Sequence, residues 1–184
     1  TVTLAGTNTY SGTTFVEAGT LRVTGSLASS VIVQSNGTFC GSGTIARTIN
    51  VEGGTLLPGD DDSGTGTLTL SRYLRLNGNS ILKAGVSGSS SGRIVLTNPS
   101  ARVLLENPVL DLSLLSGGSS VLTAGVTLID NQGNNLVEGT FLGLPEGGTL
   151  DLGSLRTASI TYQGGDGNDV VLTLKYRGSV ITVR

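Results

Sequence analysis

The residues best suited to chemistry are two aspartates in a glycine-rich stretch near the C-terminus. Asp166 and Asp169 lie within residues 164–172, where the sequence GGDGNDVVL fits the calcium-binding nonapeptide GGxGxDxUx. Calcium takes about six to eight oxygen ligands, and calcium rolls collect them from adjacent copies of this motif. The motif occurs once here. A glycine-rich hairpin turn is therefore the preferred interpretation, with Asp166 and Asp169 as the predicted ligands if calcium binds.

A run of three consecutive aspartates, Asp60, Asp61 and Asp62, is a second candidate. Polysaccharide lyases and hydrolases built on β-helices gather carboxylates from neighbouring coils around the substrate, together with a base or a cation. Here the three carboxylates are consecutive and flanked by proline, glycine and serine, which is typical of a solvated loop. An enzyme of this kind is the less favoured alternative.

The single cysteine, Cys40, cannot form an internal disulfide. As a nucleophile it would need a base, and the chain contains no histidine. We therefore interpret Cys40 as a small buried apolar side chain. No catalytic residue and no cofactor are predicted, apart from the calcium considered above, and the chain is not expected to be an enzyme.

The elements that would position such residues are short β-strands. Hydrophobic residues make up 37% of the chain, aromatic residues 4% and charged residues 13%, and there are 29 glycines among 184 residues. The apolar residues form short runs that alternate or are wholly apolar and then meet Gly, Asn or Ser. The clearest runs are residues 2–4, 14–16, 21–23, 31–33, 49–51, 68–70, 73–76 and 94–96.

A small unit, glycine followed by Thr or Asn and an apolar strand, recurs along the first half of the chain. Its glycines are Gly19, Gly37, Gly54, Gly66 and Gly78. The intervals from Gly19 to Gly37 and from Gly37 to Gly54 are nearly equal, and each suits one coil of a β-solenoid. In a β-solenoid each coil pairs with the next through its backbone. The two intervals after Gly54 are shorter and suggest hairpins or shortened coils. A β-sandwich remains the alternative architecture.

The pattern changes after about residue 100. Residues 159–162 and 170–174 read as two strands joined by a turn at 164–168, which predicts an antiparallel hairpin. We expect an all-β parallel β-helix, or β-solenoid, with a C-terminal antiparallel cap. The predicted domains are residues 1–100, the solenoid coils, and residues 101–184, the solenoid end and cap with an extra terminal strand.

Both ends of the chain read as strands. Ordered, strand-like ends predict pairing, either within the molecule or head-to-tail with a neighbour, which would build a fibre. The residues predicted to take part in this assembly are Val2, Leu4, Val180, Ile181 and Val183.

Charge and aromatic content limit the choice of partners. The arginines are scattered without a visible basic patch, so nucleic acid is not expected. Because no apolar run approaches about 20 residues, membrane insertion is not expected either. Self-association or binding to other surface proteins is predicted, with polysaccharide as a further candidate. For the tyrosines, packing roles are preferred to a sugar-binding face; they are Tyr10, Tyr73, Tyr162 and Tyr176. Stacked ladders are considered for the asparagines, which are Asn8, Asn36, Asn50, Asn77 and Asn79.

The N-terminal residues resemble a known family. Residues 4–14, LAGTNTYSGTT, continuing to EAGTL at 17–21, resemble the autotransporter-associated β-strand repeat. Residues 162–173, YQGGDGNDVVLT, are similar to the end of large bacterial surface proteins that carry such repeats. The resemblance implies a secreted, right-handed β-helical passenger at the bacterial cell surface or outside the cell, adhesive and seldom catalytic. We expect a structural, fibre-forming protein, with an adhesin or polysaccharide-binding fragment as the alternative.

Overall fold

A computed structural model of the chain describes residues 1–59, 64–87, 90–116, 125–152 and 156–176. These residues form an all-β structure, and none of them lies in a helix. The described part accordingly offers no helix long and apolar enough to cross a membrane. The strands in this part are β1 (Val2–Leu4), β2 (Thr7–Asn8), β3 (Thr14–Val23), β4 (Ser26–Leu27), β5 (Val31–Gly41), β6 (Thr44–Ile45), β7 (Thr48–Glu52), β8 (Thr55–Pro58), β9 (Gly66–Leu70), β10 (Tyr73–Leu76), β11 (Ile81–Ser87), β12 (Ser90–Leu96), β13 (Arg102–Glu106), β14 (Val109–Ser116), β15 (Val126–Asn131), β16 (Val137–Thr140), β17 (Thr149–Asp151), β18 (Arg156–Gly164) and β19 (Asp169–Tyr176).

Most strands pair in parallel and form three stacks. Stack one contains β1, the second halves of β3 and β5, and then β8, β11 and β14. Stack two contains the first halves of β3 and β5, followed by β7, β10, β13 and β16. Stack three contains β2, β4, β6, β9, β12 and β15. The chain visits the stacks in a fixed order, two, one, three. The arrangement is an open, mostly parallel sheet structure consistent with a β-solenoid.

The coils lengthen toward the C-terminus. Each interval between equivalent residues of stack two is longer than the interval before it; these residues are Thr14, Val31, Ile49, Leu74, Val103 and Val137. The intervals from Gly19 to Gly37 and from Gly37 to Gly54 do correspond to single coils. The expected shortening after Gly54 is wrong, because Gly66 begins a strand of stack three rather than the next strand of stack one.

The core is a narrow column of aliphatic side chains inside the three stacks. Strands such as β7 and β10 alternate between half-buried and buried residues, as the period of two in the sequence predicts. Stack one contributes Leu21, Phe39, Leu56 and Leu82 at successive levels. Cys40 is also buried, which confirms its predicted role as a small core residue.

Ion pairs connect neighbouring coils in the C-terminal half. Arg75 and Glu106 approach to 2.7 Å, and Lys83 and Asp111 approach to 3.8 Å. The other two pairs recorded among the described residues are Arg93–Asp130 and Arg102–Glu138. Every one of these pairs joins strands that are neighbours in one stack. Opposite charges placed across adjacent strands in this way contribute modestly to pairing.

Parallel pairing continues through β16, and antiparallel pairing takes over beyond it. Strands β17, β18 and β19 form an antiparallel meander, and β19 also pairs with β15. The predicted hairpin is confirmed, with its turn between Gly164 and Asp169. Tyr162 anchors this region, because its hydroxyl donates to the Leu144 carbonyl at 2.7 Å and accepts from the Phe141 N–H at 2.9 Å. For Tyr162 the predicted packing role is therefore confirmed.

The predicted asparagine ladder does not form. Asn50 pairs with Ile32 on one side and Arg75 on the other, so no asparagine lies directly above or below it. Asn77 accepts hydrogen bonds from the Asn79 N–H and the Ser80 hydroxyl, which closes its own turn. The prediction is wrong because these side chains bond to neighbours within their own coil instead of stacking between coils; the Asn50 amide donates to the Glu52 carboxylate.

Candidate assembly surface and acidic turn

The N-terminal end of the stacks presents strand edges. Strand β1 pairs with β3 on one side, and residues 14–16 of β3 pair with β5 on one side. Within the described residues, no strand pairs with the opposite edge of either segment. An edge of this kind presents N–H and C=O groups that can pair with a further strand.

Apolar side chains surround this edge. Val2 is 62% exposed, Phe15 is 56% exposed and Tyr10 is 47% exposed. Together with Leu4 and Leu21 they line an open hollow of about 640 Å³. Phe15 occupies an outward position of β3, between half-buried Thr14 and buried Val16. We call Val2, Leu4, Tyr10 and Phe15 the edge surface.

The tyrosine of the edge surface is held by a short chain of hydroxyl groups. The Tyr10 hydroxyl lies 3.1 Å from the Thr14 hydroxyl, which lies 2.7 Å from the hydroxyl of buried Ser29. This chain ties the loop before β3 to the next coil. The exposed ring of Tyr10 therefore has a fixed position beside the strand edge.

The sequence identified part of this surface. Val2 and Leu4, both predicted assembly residues, line the hollow. Val180, Ile181 and Val183 lie outside the described residues, as do Asp60, Asp61 and Asp62. Tyr10 and Phe15 line the same hollow, and the sequence did not predict them there. The signal for Phe15 was the alternation of β3, in which a phenylalanine takes the solvent-facing position.

The two candidate calcium ligands lie at the turn between β18 and β19. The Asp169 carboxylate accepts a hydrogen bond from the Asn131 N–H at 2.8 Å. The side-chain amide of neighbouring Asn168 donates to the Gly133 carbonyl at 2.6 Å. These bonds attach the turn to the loop that follows β15. Asn168 is buried, and its amide oxygen has no recorded partner in the described structure. Calcium binding by Asp166 and Asp169 remains a prediction.

The surroundings of Asp169 disfavour the ionised form of its carboxyl group. Burial raises the pKa of the Asp169 carboxyl above its usual range, and the nearby carboxylates of Asp130 and Asp166 act in the same direction. The Asn131 N–H and the charge of Arg93 oppose these effects without cancelling them. The Asp169 carboxyl is thus partly desolvated and feels the charges of two other acidic side chains.

Removing the Asp169 charge should alter the pH dependence of stability. A raised pKa means that the folded chain binds the proton more tightly than the unfolded chain. The resulting stabilisation is present below the ordinary aspartate value of 3.8 and is lost as pH rises through the folded pKa. We expect the free energy of unfolding of Asp169→Asn, measured in urea with chelator present, to lack the part of the pH dependence that Asp169 contributes in the unaltered chain.

The same urea unfolding measurement with added CaCl₂ tests calcium binding. If Asp166 and Asp169 bind the ion, added CaCl₂ should raise the urea midpoint of the unaltered chain at neutral pH but not that of Asp169→Asn. Equal midpoints with and without calcium would contradict the calcium prediction. Identical pH profiles for the two proteins would contradict the raised pKa.

Comparison with known proteins finds matches to parts of this chain. Residues 1–23 match the Passenger-associated-transport-repeat family, over the segment that contains the edge surface. Two proteins named extracellular serine protease, both from Serratia marcescens, are each 41% identical to this chain over 68 residues. The aligned part is 37% of this chain and 6% of each relative. The predicted resemblance to autotransporter passenger repeats is confirmed, and the matches are those of an extracellular, surface-type protein.

Proposed function

We propose that the chain is a non-catalytic structural segment of a secreted, surface-exposed protein, built as a right-handed β-solenoid with an antiparallel C-terminal cap. The observation that carries this proposal is the regular parallel stacking of coils beside an apolar strand edge. A solenoid grows by adding coils that each pair with the last. The edge surface is chemically suited to receive one more such strand.

The non-catalytic role is supported by the chemistry of the chain. The relatives are named serine proteases, but the alignment spans 6% of their length. Serine proteases with a Ser-His-Asp triad use histidine as the base that activates the serine, and this sequence has none. In the described residues no group of three His, Cys, Asp or Glu side chains is arranged to hold a metal.

We propose head-to-tail pairing as one use of the edge surface. Adding a strand to an open edge gains main-chain hydrogen bonds, and flanking apolar side chains add affinity. Val2 and Phe15 are more than half exposed and would be covered by an added coil. The contact joins unlike surfaces, so repetition builds a filament rather than a closed dimer.

Lysine at the edge surface should weaken self-association. Burial of a phenylalanine contributes about 1.5–3 kcal/mol, and a tenfold change in affinity corresponds to about 1.4 kcal/mol. We therefore expect Phe15→Lys to raise the dissociation constant at least about tenfold, and a charge on a strand edge also opposes pairing. Sedimentation velocity over a range of protein concentrations measures this constant.

Leu136 provides the matched control, because it is 67% exposed and is not among the residues that line the edge hollow. Leu136→Lys makes a similar apolar-to-cationic change and should leave association unaltered. A strictly monomeric parent chain at high concentration would refute self-association through this edge. Equal effects of the two lysine variants would show that general charge, rather than edge pairing, controls association.

The alternative function, a polysaccharide-binding or adhesive fragment, is supported by a different feature. A groove with three arginines crosses several coils at the corner between stacks three and two. This groove shares no lining residue with the hollow at the edge surface.

A further inference from the structure

Two adjoining hollows form a groove at the corner where the chain passes from stack three to stack two. One has a volume of about 490 Å³ and the other about 470 Å³, and both are lined by Thr48 and Arg72. The groove runs across successive coils. The remaining described residues that line it are Ala28, Ser30, Ala46, Arg47, Tyr73, Asn98, Ser100 and Arg102.

The charge of this groove is opposite to that of the whole chain. The chain has a net charge of −2, yet three arginines and no acidic residue are found among the described residues that line the groove. Arg102 shares its charge with Glu138. For Arg47 and Arg72, no ion pair is recorded within the described part of the chain. The groove therefore carries uncompensated positive charge.

The two uncompensated arginines occupy equivalent positions on adjacent coils. Arg47 immediately precedes Thr48, Arg72 immediately precedes Tyr73, and Thr48 and Tyr73 are paired in register. Their backbones are therefore about 4.8 Å apart, the spacing of neighbouring strands. Like charges at this spacing destabilise strand pairing. The ion pairs recorded between adjacent coils of the described chain each join a basic and an acidic side chain. At this corner, by contrast, two basic side chains are placed on adjacent coils.

Both arginine side chains are exposed, and that of Arg47 is held in place by a hydrogen bond. The Arg47 Nε donates to the Ala28 carbonyl of the preceding coil at 3.0 Å, which fixes the direction of the side chain. Within the described part of the chain, no partner is recorded for the terminal nitrogens of Arg47 or for the guanidinium of Arg72, so these groups can bind an anion. Guanidinium groups bind carboxylate and sulfate oxygens through paired hydrogen bonds.

We propose that this groove binds a linear acidic polysaccharide, with one carboxylate or sulfate group held between Arg47 and Arg72. Hydroxyl and amide groups from Ser30, Asn98 and Ser100 line the same surface and suit sugar hydroxyls. The ring of Tyr73 offers an apolar face for a sugar. A groove that crosses the coils accommodates an extended chain better than a compact ligand. This inference is independent of the edge-pairing role proposed above.

Titration calorimetry of the full chain tests the proposal with four probes: polygalacturonate, dextran sulfate, neutral dextran and single-stranded oligothymidylate. We expect binding to one or both acidic polysaccharides and none to neutral dextran. Arg72→Gln should weaken binding about tenfold, and combining it with Arg47→Gln should abolish binding. The two acidic probes distinguish a carboxylate ligand from a sulfate ligand.

Arg93→Gln is the matched control, because it removes the same charge from an arginine on stack three that does not line the groove. It should change affinity less than about twofold. Urea midpoints no lower than that of the unaltered chain would show that the exposed Arg47 and Arg72 substitutions leave the fold intact. The proposal is overturned if no acidic polysaccharide binds, or if Arg93→Gln weakens binding as much as Arg72→Gln. Tighter binding of oligothymidylate that is lost in the same variants would assign the groove to nucleic acid instead.

Discussion

Alanine at Gly41 should destabilise the chain more than alanine at any exposed glycine. A Cβ atom added there would lie 1.9 Å from the Val23 carbonyl oxygen of the preceding coil, and φ is +137°. That oxygen also accepts the Gly43 N–H at 2.9 Å, so it cannot move away without cost. Overpacking and backbone strain together should lower the free energy of unfolding by about 3 kcal/mol or more. Urea unfolding followed by circular dichroism measures the change.

Alanine at two other glycines separates the two causes of the stability loss expected for Gly41→Ala, which are overpacking and backbone strain. Gly19 has φ of +73° but no atom within 4 Å of an added Cβ, so Gly19→Ala should cost only the backbone strain, about 1 kcal/mol. Gly12 has neither constraint, and Gly12→Ala should be neutral or slightly stabilising. If Gly41→Ala and Gly19→Ala cost the same, close approach between coils is not what requires glycine at position 41.

The sequence predicted the local elements well because their signals are local. Alternation of apolar and polar residues identified the strands, and the first two glycine intervals identified the first coils, in which Gly19 and Gly37 are paired. The later coils were misjudged because a glycine-threonine unit can begin a strand in any stack. Gly66 belongs to stack three, and the loops that lengthen the later coils carry no periodic signal.

The surfaces were harder to predict, because they depend on register between coils. Arg47 and Arg72 are far apart in the sequence, and only the pairing of Thr48 with Tyr73 makes them neighbours. The expectation that the chain has no basic patch was therefore wrong for this corner. Phe15 was likewise an ordinary strand residue in the sequence. Its importance comes from the exposed strand edge and from Tyr10, which lines the same hollow.

Replacement of a large, fully buried core side chain should be the other severe change. Phe39 is fully buried in stack one, with Leu21 on one side and Leu56 on the other. Because the interior is one column of mostly aliphatic residues, neighbouring coils cannot collapse into a vacated space without breaking backbone pairing. We expect Phe39→Ala to lower the free energy of unfolding by about 3–5 kcal/mol, measured by urea unfolding.

Phe15→Ala makes the same chemical change at a side chain that is 56% exposed. At concentrations where the parent chain is monomeric, it should alter the free energy of unfolding by less than about 0.5 kcal/mol. The contrast isolates the contribution of the interior column from that of the strand edge. A small loss for Phe39→Ala would mean that backbone pairing between coils, rather than side-chain packing inside them, provides most of the stability.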